Sequence, residues 1–380
     1  MIMRAKESEN IQNGDVVENG VLRRERCVLQ MQAIVIVGAG IIGLDVALVL
    51  AERGYGQSIT VIAEHLPGDT ALSYTSPWAG CNFSAISGTD ANALRWDKLG
   101  YFHLSKLASE RPEETYVRRT PSTELWDDNV PHDKIKTMSE YLEDFTPLPA
   151  EKLPEGVKFG ASFTTLTVNA PKHLLYLYQR LKRDYGVRFI RQKLPNLQAA
   201  FSSHSTQIVF NCIGNTAKSL PGVEDPKCYP TRGQVLLTLA PEVQTNIMRH
   251  GKDYETYVIP RPYSKGHVIL GGYMQKGNGD GATYSYETED ILNRTKELSV
   301  EVRESDIEVI AAFSGLRPSR EGGARVERED LSITGQKRTV IHNYGAGGTG
   351  FQAGYGMAVD AVSAAEPLLS EIRGQMRSKL

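Results

Sequence analysis

The hydrophobic pattern of the chain becomes regular at Met31. "AIVIV", residues 33–37, is an unbroken apolar run of the kind found in strands covered on both faces. Gly38, Gly40 and Gly43 follow, leading into a segment that predicts an amphipathic helix, and "SITVIAE" predicts a second strand. Residues 31–64 therefore predict a right-handed βαβ start. The next stretch, "HLPGDTALSYTSPWAGCNFS", is polar, glycine-spaced and expected to be loop. Leu94, Trp96, Leu99, Phe102, Leu104 and Leu107 carry helical periodicity through residues 92–110. Residues 171–185 predict another helix, with Pro171 at its start and Gly186 just past its end.

"VRFIRQKL" and "STQIVFNCIG" have the character of strands returning to the first sheet. From 229 to 275 the pattern changes. "RGQVLLTLA", "ETYVIPRP" and "HVILGGYMQ" alternate with turn residues, as in an antiparallel sheet. A charged, helix-like segment at 286–303 precedes the strand "AAFSGLRPSR". A final strand, glycine-rich loop and long terminal helix close the chain. The fold class expected is α/β, a Rossmann-like nucleotide domain with a mostly antiparallel β domain inserted. Residues 31–90, 160–225 and 318–380 are assigned to the first, 91–159 and 226–317 to the second, and 1–30 to a disordered extension.

Composition narrows the partners. A formal net charge of −2 over 380 residues provides no basic field for a phosphate backbone, so nucleic acid is not an expected partner. Asp45 interrupts the longest apolar run well short of a membrane span. Cys27, Cys81, Cys212 and Cys228 form no C-x-x-C pair and no metal-like grouping with histidine. Reduced thiols are the favoured reading over a Cys212–Cys228 disulfide, and no metal is expected. The sequons at Asn82 and Asn293 count only in a secreted chain, and no secretory signal is visible. The chain ends in Ser378-Lys379-Leu380, the peroxisomal address, which implies a peroxisomal import receptor as a partner.

Gly38-x-Gly40-x-x-Gly43 stands after a strand and at the mouth of a helix, where the backbone admits a pyrophosphate and the helix N-terminus faces its charge. Glu64 ends the second strand, placed to accept from a ribose hydroxyl. The second glycine loop, "NYGAGGTGFQAGYG", decides which dinucleotide is expected. A flavin ring gains negative charge on two-electron reduction, and a second helix N-terminus stabilises it.

Tyr344-Gly345 through Gln352, with "TSPWAGCNF", "RGQ", "YVIPRP", "GGYMQKGN" and "GLRPSR" in matching order, resembles the D-amino acid oxidases, FAD flavoproteins of the peroxisome. The likeness spans essentially all of Met31–Leu380. It implies that Gly38, Gly40, Ile41, Ile42 and Gly43 cradle the FAD pyrophosphate and that Glu64 meets the ribose. His65 stands where the family often has arginine. Ala79, Gly80 and Cys81 match the segment touching the flavin ring, and Leu194 an apolar adenine contact. Gly347, Gly348, Thr349, Gly350 and Gln352 match the pyrimidine-side loop.

For the substrate, the resemblance makes Arg317 the anchor of the α-carboxylate, which a guanidinium fork can grip bidentately. Tyr257 shares that carboxylate, Tyr254 belongs to a lid, and Gly348 lies beside the substrate. Met274 occupies the position where D-aspartate oxidases place an arginine, which favours neutral substrates. The activity implied is oxidative deamination: hydride passes from a D-amino acid to flavin N5, and oxygen ends as hydrogen peroxide. The implied partners are a small D-amino acid and oxygen. The long terminal helix is compatible with a homodimer. Rival readings are a D-aspartate oxidase or other flavin amine oxidase, a non-catalytic flavin binder, and a nicotinamide dehydrogenase. Arg320, Arg325 and His342 are expected outside the site, the arginines on a solvated face and the histidine in the core.

Overall fold

The computed structural model describes residues 33–377 apart from Ala85, Asp253 and Thr334. The N-terminal extension and the terminal tripeptide lie outside the described residues. Met31–Leu380 forms one connected unit.

Ile34–Val37 is central in a six-stranded sheet, paired in parallel with Ile59–Ala63 on one side and Ile208–Asn211 on the other. Arg188–Arg191 and Gln336–Tyr344 extend the parallel order, and Arg325–Ile333 adds an antiparallel edge. Helix Ile41–Leu50 makes the crossover. Nine of its ten residues are buried, so it is not the amphipathic helix expected. It packs both on the sheet and against helix Gly350–Ala364, and a helix covered on both sides is apolar all round. Asp45 is buried with it, and desolvation pushes its carboxyl well above the usual range.

The second sheet has nine strands among the described residues. Cys228–Leu239 pairs antiparallel with His267–Gly271, followed by Glu255–Pro260 and Asn246–His250. Glu308–Arg320 also runs antiparallel along Cys228–Leu239. Val117–Trp126 and Phe159–Val168 continue the sheet beyond Asn246–His250. Phe159–Val168 thus belongs to the second sheet, and the expected domain border at 159/160 falls at its very start. Long-range pairing with Val117–Trp126, which local pattern does not encode, is the reason.

Helix Ala91–Glu110 forms as predicted, capped by Asp90. It lies against Gly350–Ala364, the helix that follows the first sheet, rather than only against the second. The close crossing needs Gly100, where a Cβ would sit 1.6 Å from the Gln352 carbonyl oxygen. The charged segment near 286–303 is two helices, Ser285–Leu298 and Val300–Glu304. Its buried Glu287 meets the fully buried Arg232 of "RGQ" at 2.9 Å, which fastens helix to sheet. Cys81, Cys212 and Cys228 are free and buried. His342 is a core residue, hydrogen-bonded to Asn211 and Glu329. Arg320 is not on a solvated face: it pairs with the largely buried Asp225 at 2.8 Å. No described helix is long and apolar enough to cross a membrane.

Candidate active site

The sites expected from the two glycine loops open onto one cavity of about 840 Å³. On its first wall the strand Ile34–Val37 runs into Gly38, whose φ of +105° and contact with the Cys212 carbonyl leave no space for a side chain. Gly40, Ile41 and Ile42 line the cavity. Gly43 does not line it. A Cβ there would sit 2.0 Å from the Gly38 carbonyl oxygen, so its part is to let helix and strand approach. The first helical N–H, from Ile41, donates to Ser76 Oγ at 3.0 Å.

Glu64 and His65 lie on the same cavity, at the end of strand Ile59–Ala63. The Glu64 carboxylate also accepts from Lys193 Nζ at 3.0 Å, and His65 Nε2 bonds Ser73 Oγ. Leu194 lines this end, while Ala79, Gly80 and Cys81 line the middle. Gly347, Gly348 and Gly350 bring the N-terminus of Gly350–Ala364 to the opposite wall. Thr349 is outside the lining, with its hydroxyl turned to the Ala346 carbonyl. Gln352 reaches the wall, but its side chain is engaged with Ser84, Ser87 and Asp97. Burial raises the carboxyl of Asp97 to about 6.

The substrate end is built from two strands of the second sheet. Arg317 comes from Glu308–Arg320, in register with Thr231 two residues from the Gly315–Gly233 pair. Gly233 makes room for it, since a Cβ there would meet Nη1 at 2.3 Å. Nη1 donates to the Tyr273 carbonyl at 2.9 Å, and Nη2 lies 3.5 Å from Tyr257 Oη. Among the described residues no carboxylate comes within 4.0 Å of Arg317, which leaves its charge without an ion-pair partner. Tyr257 projects from Glu255–Pro260. Burial raises its hydroxyl, which stays a protonated donor.

Two expected substrate residues are elsewhere. Met274 is 38 % exposed and outside the lining, because the segment after Gly271 leaves the regular strand. Tyr254 donates its hydroxyl to Asp127, which turns it away from the cavity. Tyr273 packs against a core cluster of the second sheet and donates its hydroxyl to Asp290 at 2.6 Å.

One feature lacked a sequence signal. Glu255 lines the cavity and faces His250 across the antiparallel pair of strands. His250 Nδ1 is 3.8 Å from Glu255, and its Nε2 is 3.0 Å from the fully buried Glu124. Burial alone would disfavour the imidazolium; the two carboxylates reverse this and raise His250 to about 9. Burial likewise works against Glu255 ionisation, but His250 and the field of Arg317 outweigh it and hold the carboxyl below its usual range. Only the strand register brings these distant residues together.

The cavity fits an FAD. Two helix N-termini and the glycine turns accept phosphate and ring edges through backbone N–H groups. Asn343, buried on the lining, has no partner for either amide atom among the described residues, and Asn215 Oδ1 is likewise free. Buried amides without partners signal a polar ligand.

The sequence model of the FAD dependent oxidoreductase family (DAO) matches residues 33–363. A D-amino-acid oxidase of Schizosaccharomyces pombe is 45% identical over 88% of this chain and 96% of its own length. A D-aspartate oxidase of Cryptococcus neoformans is 32% identical over 87% of this chain and 95% of its own. Among solved structures, a glycine oxidase from Geobacillus kaustophilus superposes with a TM-score of 0.66 at 18% identity, covering 88% of this chain and 94% of that one. That likeness is one of fold.

Proposed function

The chain belongs to the D-amino-acid oxidase family of FAD-dependent oxidoreductases, and from that premise we propose which substrates it takes and how its residues handle them. It is an enzyme that oxidises D-amino acids with FAD. The substrates are D-amino acids without a second carboxylate, neutral ones such as D-alanine included, converted to 2-oxo acids and ammonia with hydrogen peroxide as the second product. The observation that carries this reading is Arg317, a guanidinium without a carboxylate partner, beside the Tyr257 hydroxyl in the cavity shared with both glycine loops.

When bound, the FAD supplies the acceptor for the hydride of the α-carbon and the route of its electrons to oxygen. Arg317 presents a planar fork to the α-carboxylate, and Tyr257 donates to the same group. Both stand on paired strands, so the α-carbon is held by rigid elements rather than loops. Val235, Met248 and Ile259 provide an apolar wall. Glu255 is held below the usual carboxylate range, which weakens it as a base, so orientation is the main contribution of these side chains.

The test is optical. Under anaerobic conditions D-alanine should bleach the visible absorbance of the FAD-loaded protein, and L-alanine and D-aspartate should not. Colour that survives D-alanine overturns the reading. The terminal Ser378-Lys379-Leu380 supports, in addition, a peroxisomal location through the import receptor.

A further inference from the structure

We infer that Glu255 sets the charge preference of the substrate pocket, excluding D-amino acids with a second carboxylate and favouring those with a cationic side chain. This deepens the oxidase reading and rests on it. Side chains alternate along a strand, so Glu255, Tyr257 and Ile259 share one face of Glu255–Pro260, and all three line the cavity. Thr256 points the other way and accepts from Arg294. Two residues of strand separate the Glu255 and Tyr257 Cα atoms by about 6.6 Å. A substrate whose α-carboxylate is held by Arg317 and Tyr257 therefore presents its side chain within the field of the Glu255 carboxylate.

The local charge count gives the sign. Burial raises the Glu124 carboxyl and His250, 3.0 Å away, works against that; with one proton between them the pair is neutral, and Glu255 offsets Arg317, so the cluster is neutral before substrate binds. The neighbouring arginines are paired separately, Arg249 with Asp127 and Arg294 with Asp290. With its reactive amino group uncharged, a substrate adds one negative charge at its α-carboxylate. A second carboxylate then meets net repulsion in a site shielded from water, whereas an ammonium or guanidinium restores neutrality. Met274 cannot make this choice, because it lies outside the cavity. Glu255 can, because it lines the cavity and the His250 imidazolium behind it, itself held charged by Glu124, favours its ionised form.

Glu255→Gln keeps the shape and removes the charge. In the wild type D-lysine should exceed D-norleucine in kcat/KM, and D-asparagine should exceed D-aspartate. In Glu255→Gln each ratio should move toward unity by at least tenfold. Ratios cancel any general loss of activity. A variant too slow to assay is read instead by binding, from the flavin spectral shift on titration with 5-aminopentanoate, pentanoate and glutarate. Loss of the 5-aminopentanoate preference and gain of glutarate binding support the inference. Ratios and relative affinities equal to those of the wild type overturn it. If D-alanine fails to reduce the wild-type flavin, the oxidase reading fails instead.

Discussion

A buried guanidinium without a carboxylate beside it is costly, since desolvation is not offset by a partner charge. Arg317, half-buried on the cavity wall, carries part of that cost, and an incoming α-carboxylate would remove it. Arg317→Ala should therefore raise KM for D-alanine at least tenfold while FAD stays bound, each lost charge-assisted bond being worth about 1.5–3 kcal/mol. Steady-state kinetics with flavin content measured in parallel check this; an unchanged KM removes Arg317 from the anchor role. Arg317 and Tyr257 were legible because short motifs, "GLRPSR" and "YVIPRP", hold them at strand positions. Glu255 was not, because an acidic residue two places before a tyrosine has the pattern of a solvated strand end. Its meaning comes from His250 across the sheet and from Glu124 on a third strand. Met274, which the resemblance places beside the substrate, lies outside the lining because the strand ends at Gly271.

Between elements, the tightest contact that shapes the site is the crossing of helices Ala91–Glu110 and Gly350–Ala364. It is a glycine contact in both directions: a Cβ on Gly356 would sit 2.6 Å from the Trp96 Cα, reciprocal to Gly100 on Gln352. Gly100→Ala should force the helices apart and destabilise the protein by about 1–3 kcal/mol, the usual cost of overpacking. It should also weaken FAD binding, because Gln352 sits on the cavity wall. Thermal unfolding and flavin release read the two effects; a melting temperature equal to that of the wild type shows that the crossing tolerates the methyl. Helices Ala91–Glu110 and Ala170–Asp184, the βαβ start and the strands Cys228–Leu239, Glu255–Pro260 and His267–Gly271 were legible from periodicity and caps. Val117–Trp126 and Phe159–Val168 escaped, because their pairing joins residues far apart in the chain and neither carries a clean alternation.

At the scale of the whole molecule, the cavity wall draws on residues from Val37 to Gln352, with the first sheet supplying the dinucleotide end and the second the substrate end. We propose that the last three residues act at this scale too, as an address on the finished protein. A fluorescent fusion at the N-terminus should co-localise with a peroxisomal marker and become diffuse when Ser378–Leu380 is removed; a diffuse full-length fusion counts against the address. Sequence by itself determined the family, the cofactor and which arginine stands on the cavity. Those depend on local backbone needs, such as glycines at a helix mouth and an arginine in a fixed strand motif, which remain visible one residue after another. Tertiary structure alone decided that Glu255 lines the cavity and that Met274 and Tyr254 do not. Those outcomes depend on where strands end and which strands pair, and pairing is settled by burial of the whole sheet rather than by the order of residues along any one strand.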